Sequence, residues 1–345
     1  MNPVLVDVLR GASLESSHRG ALAVLDADGA LPASLGDIDR PIFPRSAVKL
    51  LQALPLVESG AAERLGLNDD ELALACASHS GEELHVRTAA SMLAKAGLDF
   101  TALECGTHWP SLDKAARALA AAGREPTALH NNCSGKHSGI LCLASMQCGG
   151  VDLKQYVKAY VSPEHSVMRS VTAALQTVTG FDPSTAPRGM DGCSIPTYGI
   201  ALRRLAIGFA RVGTGVCLSE GHARAAQRLR RAIAYAPFMV AGTGRFDTRV
   251  MQQMGERVCC KVGAEGVFCA ALPGRGLGVA IKIDDGNNAR AAEVVMASVL
   301  EASLRPSGAD AEILHSLCRP TLRNWNGIDV GQLRPAAALT SLRLH

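Results

Sequence analysis

In the first 36 positions the apolar residues fall in short alternating blocks, PVLVDVLRG and then RGALAVLDADG, which is the period of β-strands. Asp26, Asp28 and Gly29 supply a turn after the second block. From Ser46 to about Val178 the apolar spacing lengthens to three and four, as in LHVRTAASMLAKAG and SLDKAARALAAAG, and predicts a cluster of helices. A further helix is expected over HARAAQRLRRAIAYA. Strand patterning then returns in ERVCCKVG, GVFCAALPG and GLGVAIKIDDG, joined by short Gly/Pro turns, before a helix over ARAAEVVMASVLEASL. Connections of hairpin length make those strands antiparallel neighbours, since parallel strands need a helical crossover. The expected fold class is α+β, an antiparallel sheet built from both chain termini with an inserted helical lobe. Residues 1–345 would form a single two-lobed domain, with 1–44 and 191–345 in the sheet lobe and 45–190 in the helical lobe. No internal repeat or low-complexity tract interrupts this organisation.

Composition narrows the class of partner. Of 345 residues 48% are hydrophobic and the formal net charge is +3, enough apolar material for a large core and too little positive charge to hold a nucleic-acid backbone or an anionic membrane. Charge interrupts the longest apolar stretch, YGIALRRLAIGFARVG, well short of the roughly 20 residues of a membrane span. The start MNPVLVDVLRG carries no basic leader, so the expected location is the cytoplasm. Eleven cysteines, an odd number, fit reduced thiols in that compartment.

Three segments carry serine and lysine chemistry. In PRSAVKLLQALPLV a helix entered through Pro44 would put Ser46 and Lys49 three apart on one side of its first turn. A neighbouring amine can take the proton of a weakly nucleophilic hydroxyl if burial or nearby cations lower its pKa. CASHSGEELH places Ser78, His79 and Ser80 ahead of a helix, where hydroxyls often cap N-termini. In ERVCCKVGAEG, Lys261 ends a strand beside Gly263 and Gly266, which permit close approach of a ligand. The order Ser-x-x-Lys, serine loop, Lys-x-Gly resembles that of penicillin-binding proteins and serine β-lactamases. The second element lacks their Asn, and the third has Val where Thr normally follows Lys.

HNNCSGKHSG packs Cys133, Lys136 and His137 among small residues, and MDGCSIPTYG adds Asp191 and Cys193. A thiolate beside Lys136 or a protonated His137 would have a lowered pKa, which suits either a nucleophilic cysteine or a zinc ligand. Two thiolates favour zinc, with His137, Lys136, Asp191 and water available to complete a tetrahedron.

Together RSAVK, CASHSGE, HNNCSGKHSG, DGCSIPTYG and KVGAEG resemble the rhizobial-type L-asparaginases, in order along essentially the whole chain. The resemblance implies a serine β-lactamase/glutaminase-like fold, a homodimer, and hydrolysis of L-asparagine to L-aspartate and ammonia. By motif it makes Ser46 and Lys49 the first catalytic pair and Ser78 and Lys261 the second. Cys133, Lys136 and Cys193 become zinc ligands, with water completing the shell. Arg45, His137 and Asp191 become substrate contacts, Arg45 for the α-carboxylate and Asp191 for the α-ammonium. The zinc is expected to orient substrate rather than to activate the attacking water. A glutaminase, a β-lactamase-like amidohydrolase and a catalytically silent amino-acid or zinc-binding protein are the alternatives.

Overall fold

The computed structural model describes residues 1–343. Its strands are β1 (Val4–Arg10), β2 (Ser13–Asp26), β3 (Ala33–Leu35), β4 (Pro41–Ile42), β5 (Arg188–Met190), β6 (Pro196–Tyr198), β7 (Ile200–Ala201), β8 (Cys259–Val262), β9 (Val267–Leu272), β10 (Leu277–Ile283), β11 (Thr321–Arg323) and β12 (Asp329–Pro335). Eight of them form one antiparallel sheet in the order β11-β12-β1-β2-β10-β9-β8, with β3 added on β2. The β4–β7 and β5–β6 pairs stand apart from it.

Local chemistry explains the turns. After β2 the Asp26 carboxylate accepts the backbone N–H groups of Asp28, Gly29 and Ala30 at 3.0, 2.8 and 2.8 Å, an Asx turn that stops the strand. Every residue of β8 and β9 is buried, so these strands read as continuous apolar runs rather than alternations. The helix Leu202–Thr214 packs on β2, β9 and β10, and the helix Glu293–Leu304 on β1 and β12. Contact with the first is close enough to require a glycine: a Cβ on Gly278 of β10 would lie 2.0 Å from the carbonyl oxygen of Ala206.

Most helices between residues 45 and 179 surround one central helix, Ser134–Gln147, whose residues Ser134–Ala144 are all buried. The single helix expected after Pro44 is broken into a 3-10 turn, Arg45–Val48, and two short helices, Lys49–Gln52 and Leu54–Glu58. Pro55 accounts for the second break, because it lacks the N–H an unbroken helix would use and is tolerated only in a first turn. Arg45 itself has φ +53°, a left-handed conformation uncommon outside glycine. Among the described residues no helix is long and apolar enough to cross a membrane. All eleven cysteines are free thiols.

Candidate active site

A cavity of about 560 Å³ opens where the Arg45–Val48 turn, the loop after Cys76, the entry to the Ser134 helix, the turn after β5 and the loop after β8 converge. Ser46, Ser78, Cys133, Asp191 and Cys193 line it, so segments more than 140 residues apart in sequence meet there. Lys49, Lys136 and Lys261 lie beneath that lining, at most 3% exposed.

Lys49 Nζ donates to Ala77 O at 2.6 Å and to Cys133 Sγ at 3.1 Å, and no hydrogen bond joins it to Ser46 among the described residues. Ser78 is held from both sides. Its N–H donates to Val240 O at 2.9 Å, and Asn132 Nδ2 donates to its hydroxyl at 3.3 Å. The next residue, His79, stacks on His85 at 4.8 Å, and His85 stacks on Phe238 at 4.6 Å. Gly81 N–H donates to His79 Nδ1, which leaves Nε2 to donate to Ser134 Oγ at 3.0 Å. Burial, and then the His85 charge, push the His79 pKa well below the ordinary histidine value, so this ring is a neutral support for the Ser78 loop.

The helix-capping role open to the serines is not what Ser80 performs. Ser80 Oγ donates to Glu82 Oε1 at 2.6 Å, and the same carboxylate accepts Thr243 N–H at 2.9 Å and Thr243 Oγ1–H at 2.7 Å. Glu82 therefore clamps the Gly242–Arg245 loop to the Ser78 loop. Arg245, at the end of that clamped loop, lines the cavity. Only glycine fits at 242, where φ is +111° and a Cβ would fall 2.0 Å from Ser80 Oγ.

Lys261 sits in β8, 2% exposed, with Nζ donating to Val262 O at 2.7 Å. Burial pushes its pKa down to about 8; Asp247 opposes that shift, while Lys49 and Arg245 add to it. That brings this amine close to neutrality at moderate pH.

The cysteine segments converge as well. HNNCSGKHSG begins a helix, with Cys133 as its N-cap and Lys136 and His137 in its first turn. Lys136 Nζ donates to Cys193 Sγ at 2.8 Å. A hydrogen bond from Cys193 lowers the Cys133 pKa well below the ordinary thiol value, Lys49 and Lys136 lower it further, and the Cys193 thiol is pushed up in return. Burial works against charge on Lys136, but Cys193, Cys133 and Asp191 outweigh it and raise its pKa. Asp191 accepts from Arg45 Nε at 2.5 Å and from Gly192 N–H at 2.8 Å. Burial disfavours its charge, yet Lys136 and Arg45 hold its carboxyl below the usual range.

These donors fit zinc in kind: two sulfurs and an amine converge under the cavity, with open space for a water. In a tetrahedral site the amine and a thiolate would stand about 3.6 Å apart, so their present contact would open by less than about 1 Å. His137 is the exception among the expected substrate contacts. It is fully buried and does not line the cavity, its Nδ1 lies 2.5 Å from Tyr160 OH, and its Nε2 has no hydrogen-bond partner among the described residues.

Further lining residues, Arg245, Asn132, His108, Glu265 and Asn288, did not stand out from the sequence. Arg245 carried a legible signal, a cation directly after the Gly-Thr-Gly loop. His108 carried none, although its Nε2 accepts the Asn132 N–H at 2.9 Å.

A family model described as L-asparaginase II matches residues 6–335, nearly the whole chain. The chain belongs to the L-asparaginase II family. It is accordingly an amidohydrolase, an asparaginase. No curated protein matches the chain in sequence. Among solved structures, "Crystal Structure Analysis of Mglu" is 17% identical with a TM-score of 0.37, covering 83% of this chain and 67% of that one. Mglu "in its tris and glutamate form" is 17% identical with a TM-score of 0.36, covering 88% of this chain and 63% of that one. Mglu "in its native form" is 18% identical with a TM-score of 0.37 over 85% of this chain and 66% of that one. The chain thus spans about two thirds of the length of these structures.

Proposed function

We propose that L-asparagine binds in the cavity above Lys49 and Lys261 and is hydrolysed through Ser46. Ser46 Oγ attacks the side-chain amide carbon and passes its proton to Lys49. A neutral amine keeps two N–H groups, as many as the two acceptors Lys49 already has, and leaves its lone pair for Ser46. The protonated amine then gives its proton to the leaving nitrogen, ammonia departs, and an acyl-Ser46 ester remains. Water, deprotonated by the same amine, cleaves the ester and releases aspartate. Ser78 and Lys261 form the second pair, which relays protons and tunes the first through mutual repulsion of the two ammonium groups. Arg45 grips the α-carboxylate, Asp191 takes the α-ammonium and His137 supports the site from behind.

Cys133, Lys136 and Cys193 are the residues that would hold zinc, with Asp191 holding its water; bound there, the ion supplies a fixed positive charge that orients substrate. The wider proposal is a single two-lobed catalytic unit of serine β-lactamase/glutaminase-like fold, working in the cytoplasm as a homodimer. The observation that carries this reading is the meeting of both serines at one cavity with both lysines buried behind them. Ammonia release from asparagine and from glutamine, each with and without chelator, tests it. Turnover of asparagine well above glutamine supports the reading, and release from neither removes it.

A further inference from the structure

Among the described residues strand β8 is an outer strand of the sheet, paired only with β9. An outer strand leaves backbone groups without a ladder partner, and at Val262 side chains take them instead. Val262 N–H donates to Asp247 Oδ1 at 2.8 Å, and Val262 O accepts from Lys261 Nζ at 2.7 Å. The residue that follows Lys261 is thereby gripped at both its polar groups. Asp247 sits in the first turn of the helix Phe246–Met254, two residues after the cavity-lining Arg245, and is only 1% exposed. Its Oδ2 is buried without any hydrogen-bond partner among the described residues. A buried carboxylate oxygen left unpaired is costly unless a nearby positive charge compensates it.

We propose that Asp247, which touches no substrate, is a positioning residue for the second serine–lysine pair: it fixes the strand that carries Lys261 and sets a carboxylate at the very residue to which the Lys261 amine is bonded. This rests on the role proposed above for Lys261. Around that amine, Lys49 and Arg245 favour loss of the proton, while Asp247 and then Cys133 favour keeping it, Asp247 acting the more strongly. The thiols of Cys76 and Cys269 also lie near Lys261, with that of its strand neighbour Cys260 on the opposite face of β8, and burial keeps all three protonated and uncharged. Glu293, on the helix packed behind, is pushed up to about 7 by burial and then by Asp247.

The test is the pH dependence of kcat/KM for asparagine in Asp247→Asn, which keeps an oxygen for Val262 N–H and removes only the charge. The rising limb should move to lower pH by about one unit or more, and Asp247→Glu should restore it towards the wild-type position. The shift should persist in a Glu293→Gln background, which removes the other group that Asp247 influences. If Asp247→Asn does not fold, Asp247→Ser provides a second neutral variant with an oxygen for the strand. A limb that stays in place in the neutral variant, while Lys261→Met is inactive, overturns the inference and leaves the serine–lysine reading standing. Full activity in Lys261→Met removes that reading and the inference with it.

Discussion

Lys49 Nζ and Cys133 Sγ lie 3.1 Å apart, so the base proposed for Ser46 and a sulfur of the proposed metal set share one hydrogen bond. The two chemistries are therefore not separable sites. Any change in the charge on Cys133 is felt by the amine that must take up the serine proton, and loss of that amine leaves a buried sulfur with one donor fewer.

Ser46→Ala and Lys49→Met should each lower kcat by about 1,000-fold or more while the protein stays folded by circular dichroism. Methionine keeps the bulk of the buried lysine stem and removes only the nitrogen and its bonds to Ala77 O and Cys133 Sγ. Ammonia release measures the effect. Near-normal turnover in either variant eliminates the pair.

Activity should rise with pH. Lys261, pushed down to about 8, is an ammonium below that value and a neutral amine above it, so a step that needs the neutral form gains through pH 8 and levels off beyond. The profile of kcat/KM against pH for asparagine checks this. A flat profile between about pH 6 and pH 9 contradicts lysine bases.

Stability should move the other way at alkaline pH. Burial pushes the thiols of Cys105, Cys142, Cys259 and Cys318 up to about 12, well above the value a thiol has in the unfolded chain. Below the unfolded value both states keep these protons and the stability is intact. Above it the unfolded chain sheds them first, so stability falls by roughly 1 kcal/mol per thiol per pH unit. Lys261 acts in the opposite sense above about 8, where the unfolded chain still holds the proton that the folded one has lost, but it is one group against several. Melting temperatures recorded with reductant should therefore drop beyond about pH 9. A Tm that is constant to about pH 10.5 contradicts the burial of these thiols.

Purified protein should contain about one zinc per chain, with thiolate distances near 2.3 Å. Cys133→Ser and Cys193→Ser should each lower the zinc content, raising KM more than they lower kcat. If Cys133→Ser instead abolishes turnover at full zinc occupancy, and asparagine protects Cys133 from alkylation, the thiolate is the nucleophile. Metal analysis and mass spectrometry of the alkylated protein distinguish the two.

Gly242→Ala should cost at least about tenfold in kcat/KM, because the added methyl collides with Ser80 Oγ and a left-handed backbone has to move. Glu82→Gln, which weakens the clamp on Thr243, should produce a smaller loss in the same direction. Steady-state kinetics on both variants read it, and an unaffected Gly242→Ala enzyme shows that the loop carrying Arg245 does not serve the site.

The strands over 259–283 were legible because Gly266 and Gly276, both with positive φ, end each apolar run at a turn. The Ser134 helix was not, and the reason is physical. Gly135 and Gly139 are poor helix formers and give the segment no helical signal, yet both are needed where the helix lies against the helix Asp69–Ala75: a Cβ on Gly135 would sit 2.4 Å from Leu74 O. Tertiary packing overrode local propensity there. The serine and lysine positions could be named from their motifs, but the partner of each amine could not. Lys49 bonds Ala77 and Cys133 rather than Ser46, and Lys261 bonds its own neighbour's carbonyl. His137 shares its segment with Lys136 but turns towards Tyr160, since adjacent helix positions face different directions.

The enclosure of Ser134–Ala144 on every side has a consequence for how the site moves. A helix with no face towards water has no cheap local opening, so its amide hydrogens should exchange with deuterium only when the whole molecule unfolds. Lys136 rides on its first turn and Cys133 caps it, whereas Asp191 and Cys193 stand on a short surface turn and Arg245 on a clamped loop. The Ser134 helix is thus the fixed frame beneath the cavity, and any adjustment to a bound substrate would fall on the turn that carries Asp191 and Cys193 rather than on the helix that carries Lys136.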